Sequence, residues 1–183
     1  MKKTKQGRER MMKQLIKKFW PLLCLLVLVL VAGGVFLLMG SESTPEKAVA
    51  GFLTASLEYD EDDLLEYASD YQRVELAGNV EMDGETLEQY LQTSYAQARE
   101  LMEGEIPTVT VDVDSVDTLA MGTERYEELL AEYGEKADAK AVEAMAVVRG
   151  TYRTDDDPKN SFCALAVQCG GKWYYGFRIF DTK

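Results

Sequence analysis

Asp112 and Asp114, set against Tyr152 and Tyr174, are the residue types in this chain best suited to moving a proton. A buried carboxylate can act as a base beside a tyrosine hydroxyl that donates to the developing oxyanion, provided the site excludes water. Both acids, however, alternate with Val109, Val111 and Val113. That spacing puts them on the wet face of a half-buried strand, where solvated side chains are expected. The sequence has no histidine. Its absence removes the commonest general base, the Ser-His and Cys-His nucleophile pairs, and the commonest transition-metal ligand. The expectation is a protein that is not an enzyme and needs no cofactor.

Two acidic runs, Asp112 to Asp117 and Asp155 to Asp157, offer the oxygens that calcium prefers. Neither has the glycine and distal glutamate of an EF-hand loop, so diffuse attraction of cations is expected in place of a metal site. Cys163 and Cys169 invite a disulfide reading. On one strand, six residues span about 20 Å, whereas a bridge requires Cα atoms within about 7 Å. Two reduced, mostly buried thiols are therefore expected.

The charge is sharply partitioned. Among residues 1–18 there are eight Lys/Arg and one acid, a net of +7; beyond Met39 there are 12 Lys/Arg and 31 Asp/Glu, a net of −19. Between them Phe19 to Met39 carries no charge. Its length as a helix, about 32 Å, matches a bilayer core of about 30 Å. Basic residues beside a first span stay in the cytoplasm, so the acidic remainder is expected outside. A cleaved signal peptide, ending near Val31-Ala32-Gly33, is the competing reading. The apolar run continues through Met39, which is long for a signal and suits a retained anchor. Residues 1–18 thus read as a cytoplasmic tail, 19–39 as a transmembrane helix, 40–43 as a short tether and 44–183 as one extracytoplasmic domain. An acidic domain repels phosphate backbones, so nucleic acid is not an expected partner; membrane lipid, an envelope protein or a second copy is.

Thr44, Pro45 and Glu46 are an N-cap, a first-turn proline and a dipole-matched acid, followed by apolar positions through Leu57. Asp60 caps a second short helix, and a less regular segment runs to Gly78. A third helix is expected over Glu85 to Met102, started by Asp83 or Gly84, with Tyr90, Leu91 and Tyr95 on its patterned face. The valine alternation then gives a strand, and Glu124 to Tyr133 a further helix. The last third reads as an antiparallel meander: Val142 to Thr154, Ser161 to Cys169, Lys172 to Phe180.

Gly170-Gly171 forms a two-residue hairpin loop. With Cys169 opposite Lys172, Gln168 meets Trp173, Ala166 meets Tyr175, Ala164 meets Phe177 and Phe162 meets Ile179. Rings over alanines fill a sheet face without crowding it, so most of these aromatics read as core. Gly176, opposite Leu165, marks a bulge or bend.

The opening "TPEKAVAGFL", the short helix after an acidic turn and the closing "GGKWYYG" hairpin resemble the nuclear transport factor 2-like superfamily, also called cystatin-like or ketosteroid-isomerase-like. The likeness is to its membrane-anchored bacterial envelope members. Pro45, Phe52, Gly171, Lys172 and Trp173 carry most of it, and no catalytic motif of the family's enzymes matches. It implies an α+β fold in which helices pack on a curved antiparallel sheet as a cone. A ligand in that interior would meet Trp173, Tyr175, Phe177, Tyr90 and Tyr95. The function expected is an interaction or ligand-sensing module; the alternatives are a carrier or isomerase-like enzyme using the cone, and a self-associating scaffold.

Overall fold

The computed structural model describes residues 43–78, 84–155 and 159–180, all within a unit that begins at Ser43. The tail over 1–18, the apolar run over 19–39, residues 40–42, Asp83, and Asp156 and Asp157 lie outside them. Among the described residues no helix is long and apolar enough to cross a membrane.

Helix α1 (Pro45–Glu58) starts where the sequence places it, with the Thr44 side chain accepting from the Lys47 N–H at 3.3 Å. It stops at Tyr59, whose φ of 56° is left-handed. Asp60 then accepts from the Asp63 N–H at 3.0 Å and opens α2 (Glu61–Tyr67). The irregular segment expected next is instead a helix, α3 (Asp70–Gly78). Ser69 caps it, its hydroxyl accepting from Gln72 N–H at 3.3 Å. Only Tyr71 of α3 is buried, so apolar periodicity gives almost no signal there. Helix α4 (Leu87–Leu101) begins two residues later than expected. Thr86 and Gln89 exchange side-chain and backbone bonds in a capping box, and this reciprocal arrangement sets the boundary in place of Asp83 or Gly84.

Strand β1 (Thr110–Thr118), helix α5 (Glu124–Gly134), a single 3-10 turn (Ala139–Ala141), and strands β2 (Ala144–Arg153), β3 (Asn160–Cys169) and β4 (Lys172–Arg178) complete the described chain. The sheet is antiparallel throughout, in the order β1-β2-β3-β4. The α+β class and the closing meander agree with expectation. So does the hairpin: Gly170 and Gly171 have φ of 59° and 76°, and Ala166 faces Tyr175.

Beyond Tyr175 the expected register fails. A bulge at Gly176 leaves Leu165 opposite Phe177 and Ala164 opposite Arg178. One extra residue transfers every later side chain to the other face. Phe177 therefore leaves the face of Tyr175. It packs with Tyr71, 4.9 Å between ring centroids, and with Met145, Leu165 and Val167. A second bulge, at Asp114, interrupts β1 against β2.

Both faces of the sheet are covered. On one, Val49, Phe52 and Ala55 of α1, with Leu64 and Leu91, pack on Val148, Ala164, Ala166 and Tyr175. On the other, Tyr126, Leu129 and Tyr133 of α5 pack on Met145, Val147, Leu165 and Val167. The free edge of β4 is occupied by the chain's own entry into the domain. Ser43 Oγ accepts from Trp173 N–H at 2.7 Å and donates to Trp173 O at 3.3 Å, and Ser69 N–H donates to Tyr175 O at 3.0 Å.

Candidate functional site

Where α2 gives way to α3, the backbone crosses the β4 edge and turns Ser69 and Asp70 toward the end of α5. A cavity of about 310 Å³ opens there, lined by Ala68, Ser69, Asp70, Arg73, Tyr133, Cys169 and Tyr174. Ser69, 3% exposed, is held by its backbone bond to Tyr175 and by its capping role. Tyr133 enters from the last turn of α5 and is 2% exposed. Its hydroxyl lies beside the Ser69 side chain and the Cys169 thiol. Burial, with the neighbouring Cys169 second, pushes the Tyr133 phenol up to about 12. Burial likewise raises the Cys169 thiol. Arg73 is committed to structure: Nε donates to Ala68 O at 3.4 Å and its terminal nitrogen to Leu65 O, satisfying carbonyls at the end of α2.

The chemistry follows from those protonation states. Neutral phenol, thiol and serine hydroxyl are hydrogen-bonding groups, while Asp70 and Arg73 supply one charge of each sign at the wall. Such a set can orient a small polar ligand. It does not supply an activated nucleophile, because a thiol whose pKa is raised by burial is protonated at neutral pH.

The acid and tyrosine pairs considered for proton transfer do not come together. Asp112 and Asp114 are exposed on β1. The register sets Val111 opposite Tyr152 and Asp112 opposite Thr151, so strand alternation directs Asp112 and Tyr152 to different faces. Tyr174 lines the cavity at the other end of the sheet, with the Lys172 ammonium 5.4 Å from its ring centroid. Within the acidic runs, Asp117 pairs with Arg149 at 2.5 Å and Asp155 accepts from Thr108 N–H at 3.2 Å.

Of the five residues expected to line a cone interior, Trp173, Tyr175, Tyr90 and Tyr95 belong to the α1-covered face and Phe177 to the α5-covered face. Tyr175 lies flat on Phe52, ring centroids 4.0 Å apart at 7°. Tyr95 meets Tyr59 edge-on at 5.5 Å. None of the five lines the cavity at Ser69. Cys163 and Cys169 are in no disulfide and are half-buried, not mostly buried as expected.

Ser69, Tyr133 and Cys169 escaped the sequence reading as a set. Tyr133 read only as the end of a helix, and Cys169 only as a reduced, mostly buried thiol. The one usable signal was Ser69-Asp70, a helix-start pair inside a stretch taken as irregular.

The class defined by this geometry is an α+β domain with a four-stranded antiparallel meander and a polar cavity at one end. No family model, curated protein or solved structure matches the chain.

Proposed function

We propose that this chain is a single-pass envelope protein, anchored through residues 19–39, whose acidic domain on the outer side binds a small ligand or a partner without transforming it. The observation that carries the non-catalytic reading is the cavity at Ser69. Its thiol and phenol are both driven toward their neutral forms by burial. A catalytic site would be expected to shift at least one of them the other way. The flat stack of Phe52 on Tyr175 supports the same reading, since it fills the region where an isomerase-like pocket would need room.

The likeness to the nuclear transport factor 2-like superfamily stays part of this proposal. In its favour are the helices ahead of the sheet, the closing meander and the two bulges, which bend strands and suit a cone. The partition of charge about the apolar run supports the topology.

Fusing β-lactamase to Lys183 of the full chain tests the placement directly. The fusion should give bacteria ampicillin resistance, and a fusion made at Lys18 should not. Resistance from the Lys18 fusion alone would invert the topology and end the proposal.

A further inference from the structure

The cavity at Ser69 carries two opposite charges that do not pair. Asp70 and Arg73 are both exposed and lie three residues apart on α3, a spacing at which side chains meet across one turn, about 5–6 Å between Cβ atoms. No ion pair joins them, and Asp70 has none among the described residues. Arg73 is instead turned back to the Ala68 and Leu65 carbonyls at the end of α2. Those two bonds leave the rest of the guanidinium fork uncommitted, on a side chain that lines the cavity together with Asp70.

The lining side chains converge from one side of the sheet. Cys169 lies two residues beyond Val167 and Tyr174 stands opposite Val167, so both project toward the α5-covered face, where Tyr133 packs. Tyr71 of α3 stacks on Tyr133 at 5.7 Å, which brings Asp70 and Arg73 alongside. Burial leads in raising both Tyr133 and Cys169, and Asp70 adds to each, so its carboxylate lies near the cavity floor. Cys169 and Tyr174 are half-buried and offer the accessible neutral surface, whereas Ser69 and Tyr133 are nearly sealed. Lys172, 5.4 Å from the Tyr174 ring centroid, is paired with Glu66 at 3.1 Å and so does not neutralise Asp70. The volume, about 310 Å³, is at the small end of ligand pockets.

We propose that this cavity binds a small zwitterion, an α-amino acid with a short polar side chain. Its ammonium donates to Asp70, its carboxylate accepts from Arg73, and its side chain lies against Cys169 and Tyr174. The inference deepens the ligand-binding reading of the domain and rests on it. Holding Arg73 against the α2 carbonyls keeps the two charges from cancelling each other, which leaves one for each end of the ligand. A ligand with a single charge satisfies one of them and covers the other without a partner, at a cost in desolvation.

L-Serine is a suitable probe, because ethanolamine lacks only its carboxylate and 3-hydroxypropionate only its ammonium. Each is titrated calorimetrically into the full chain in nanodiscs, with empty nanodiscs subtracted. Saturable binding of serine is expected, with both analogues weaker by about tenfold or more. Asp70→Asn, at an exposed position, should weaken serine by a similar factor. If that variant does not fold, the analogue comparison decides without it. The proposal is overturned if serine shows no saturable heat at millimolar concentration, or if a folded Asp70→Asn chain binds it like the parent. It is also overturned if either analogue binds as tightly as serine, an outcome that keeps the cavity as a ligand site and leaves the broader reading standing. Serine recovered chemically altered would instead end the non-catalytic reading, while the expected order of affinities would still uphold the zwitterion site.

Discussion

Phe52 and Tyr175 show how much of the packing rests on single side chains. Their rings lie flat together between α1 and β4, and both are almost wholly buried. Phe52→Ala removes a ring that Tyr175 cannot follow, because Tyr175 is fixed opposite Ala166 in the sheet. The expected loss is about 3–5 kcal/mol, measured as a shift in the denaturant midpoint with unchanged m. A loss under about 1 kcal/mol would mean the helix settles onto the sheet and the stack is not a keystone. Half of this contact was legible in the sequence, since pairing a small Ala with a large Tyr across a glycine-turn hairpin needs only strand alternation. Phe177 was not legible at the same level. Its face depends on whether Gly176 is paired or bulged, and a glycine in a strand announces a bend without saying which way the register slips.

Elements were readable where their ends carry chemistry. Thr44 with Pro45, Asp60, and the Gly170-Gly171 loop each determine a local conformation, and each lies where the residue types require. Helix α3 was missed because its stability comes from the Ser69 cap and the crossing of the β4 edge, which no apolar stripe records. Contact between strands is equally hidden from the one-dimensional pattern. A side-chain carbon at Gly150 would collide with the Asp112 carbonyl of β1 and approach the Phe162 ring to 2.8 Å. Gly150→Ala should therefore disrupt the β1-β2 pairing, exposing β1 amides to faster hydrogen exchange while those of the β3-β4 hairpin stay protected. Uniform loss of protection across the sheet would instead make it one cooperative unit. The outer edge of β1 has its own defence. Asp112, Asp114 and Asp117, with the bulge at Asp114, keep a nine-residue edge from pairing with another chain. Replacing Asp112 and Asp114 together with Val should make the full chain self-associate, seen as a rise in sedimentation coefficient with concentration.

Across the whole molecule the dominant physical fact is unbalanced charge. The cations that do pair, such as Arg99 with Glu61 at 3.2 Å and Lys172 with Glu66 at 3.1 Å, are too few for 31 carboxylates. Asp63 is raised from its ordinary value by burial and by Asp60, Glu66 and Asp62 around it; Glu132 is raised by burial and by Glu135. An acid whose folded-state pKa lies above its unfolded value adds stability below the unfolded pKa and loses it as pH climbs through the folded one. The stability these two groups add should accordingly fall as pH rises from 3.8 for Asp63 and from 4.5 for Glu132 toward their raised folded values. The same sign holds for the buried phenols. Tyr133 and Tyr175, both pushed up to about 12 from 10.0, impose a second loss as pH rises between those values. Melting temperature of the full chain in nanodiscs, followed from about pH 4 to 11 at low salt, is expected to decline in these two stages. Added sodium chloride should raise it at pH 7 by screening the carboxylates. The alkaline stage should coincide with phenolate absorbance, because two hydroxyls this deeply buried ionise only as the chain opens. A melting temperature that climbs from pH 5 to 8 and drops with salt would show that ion pairs outweigh repulsion in this domain.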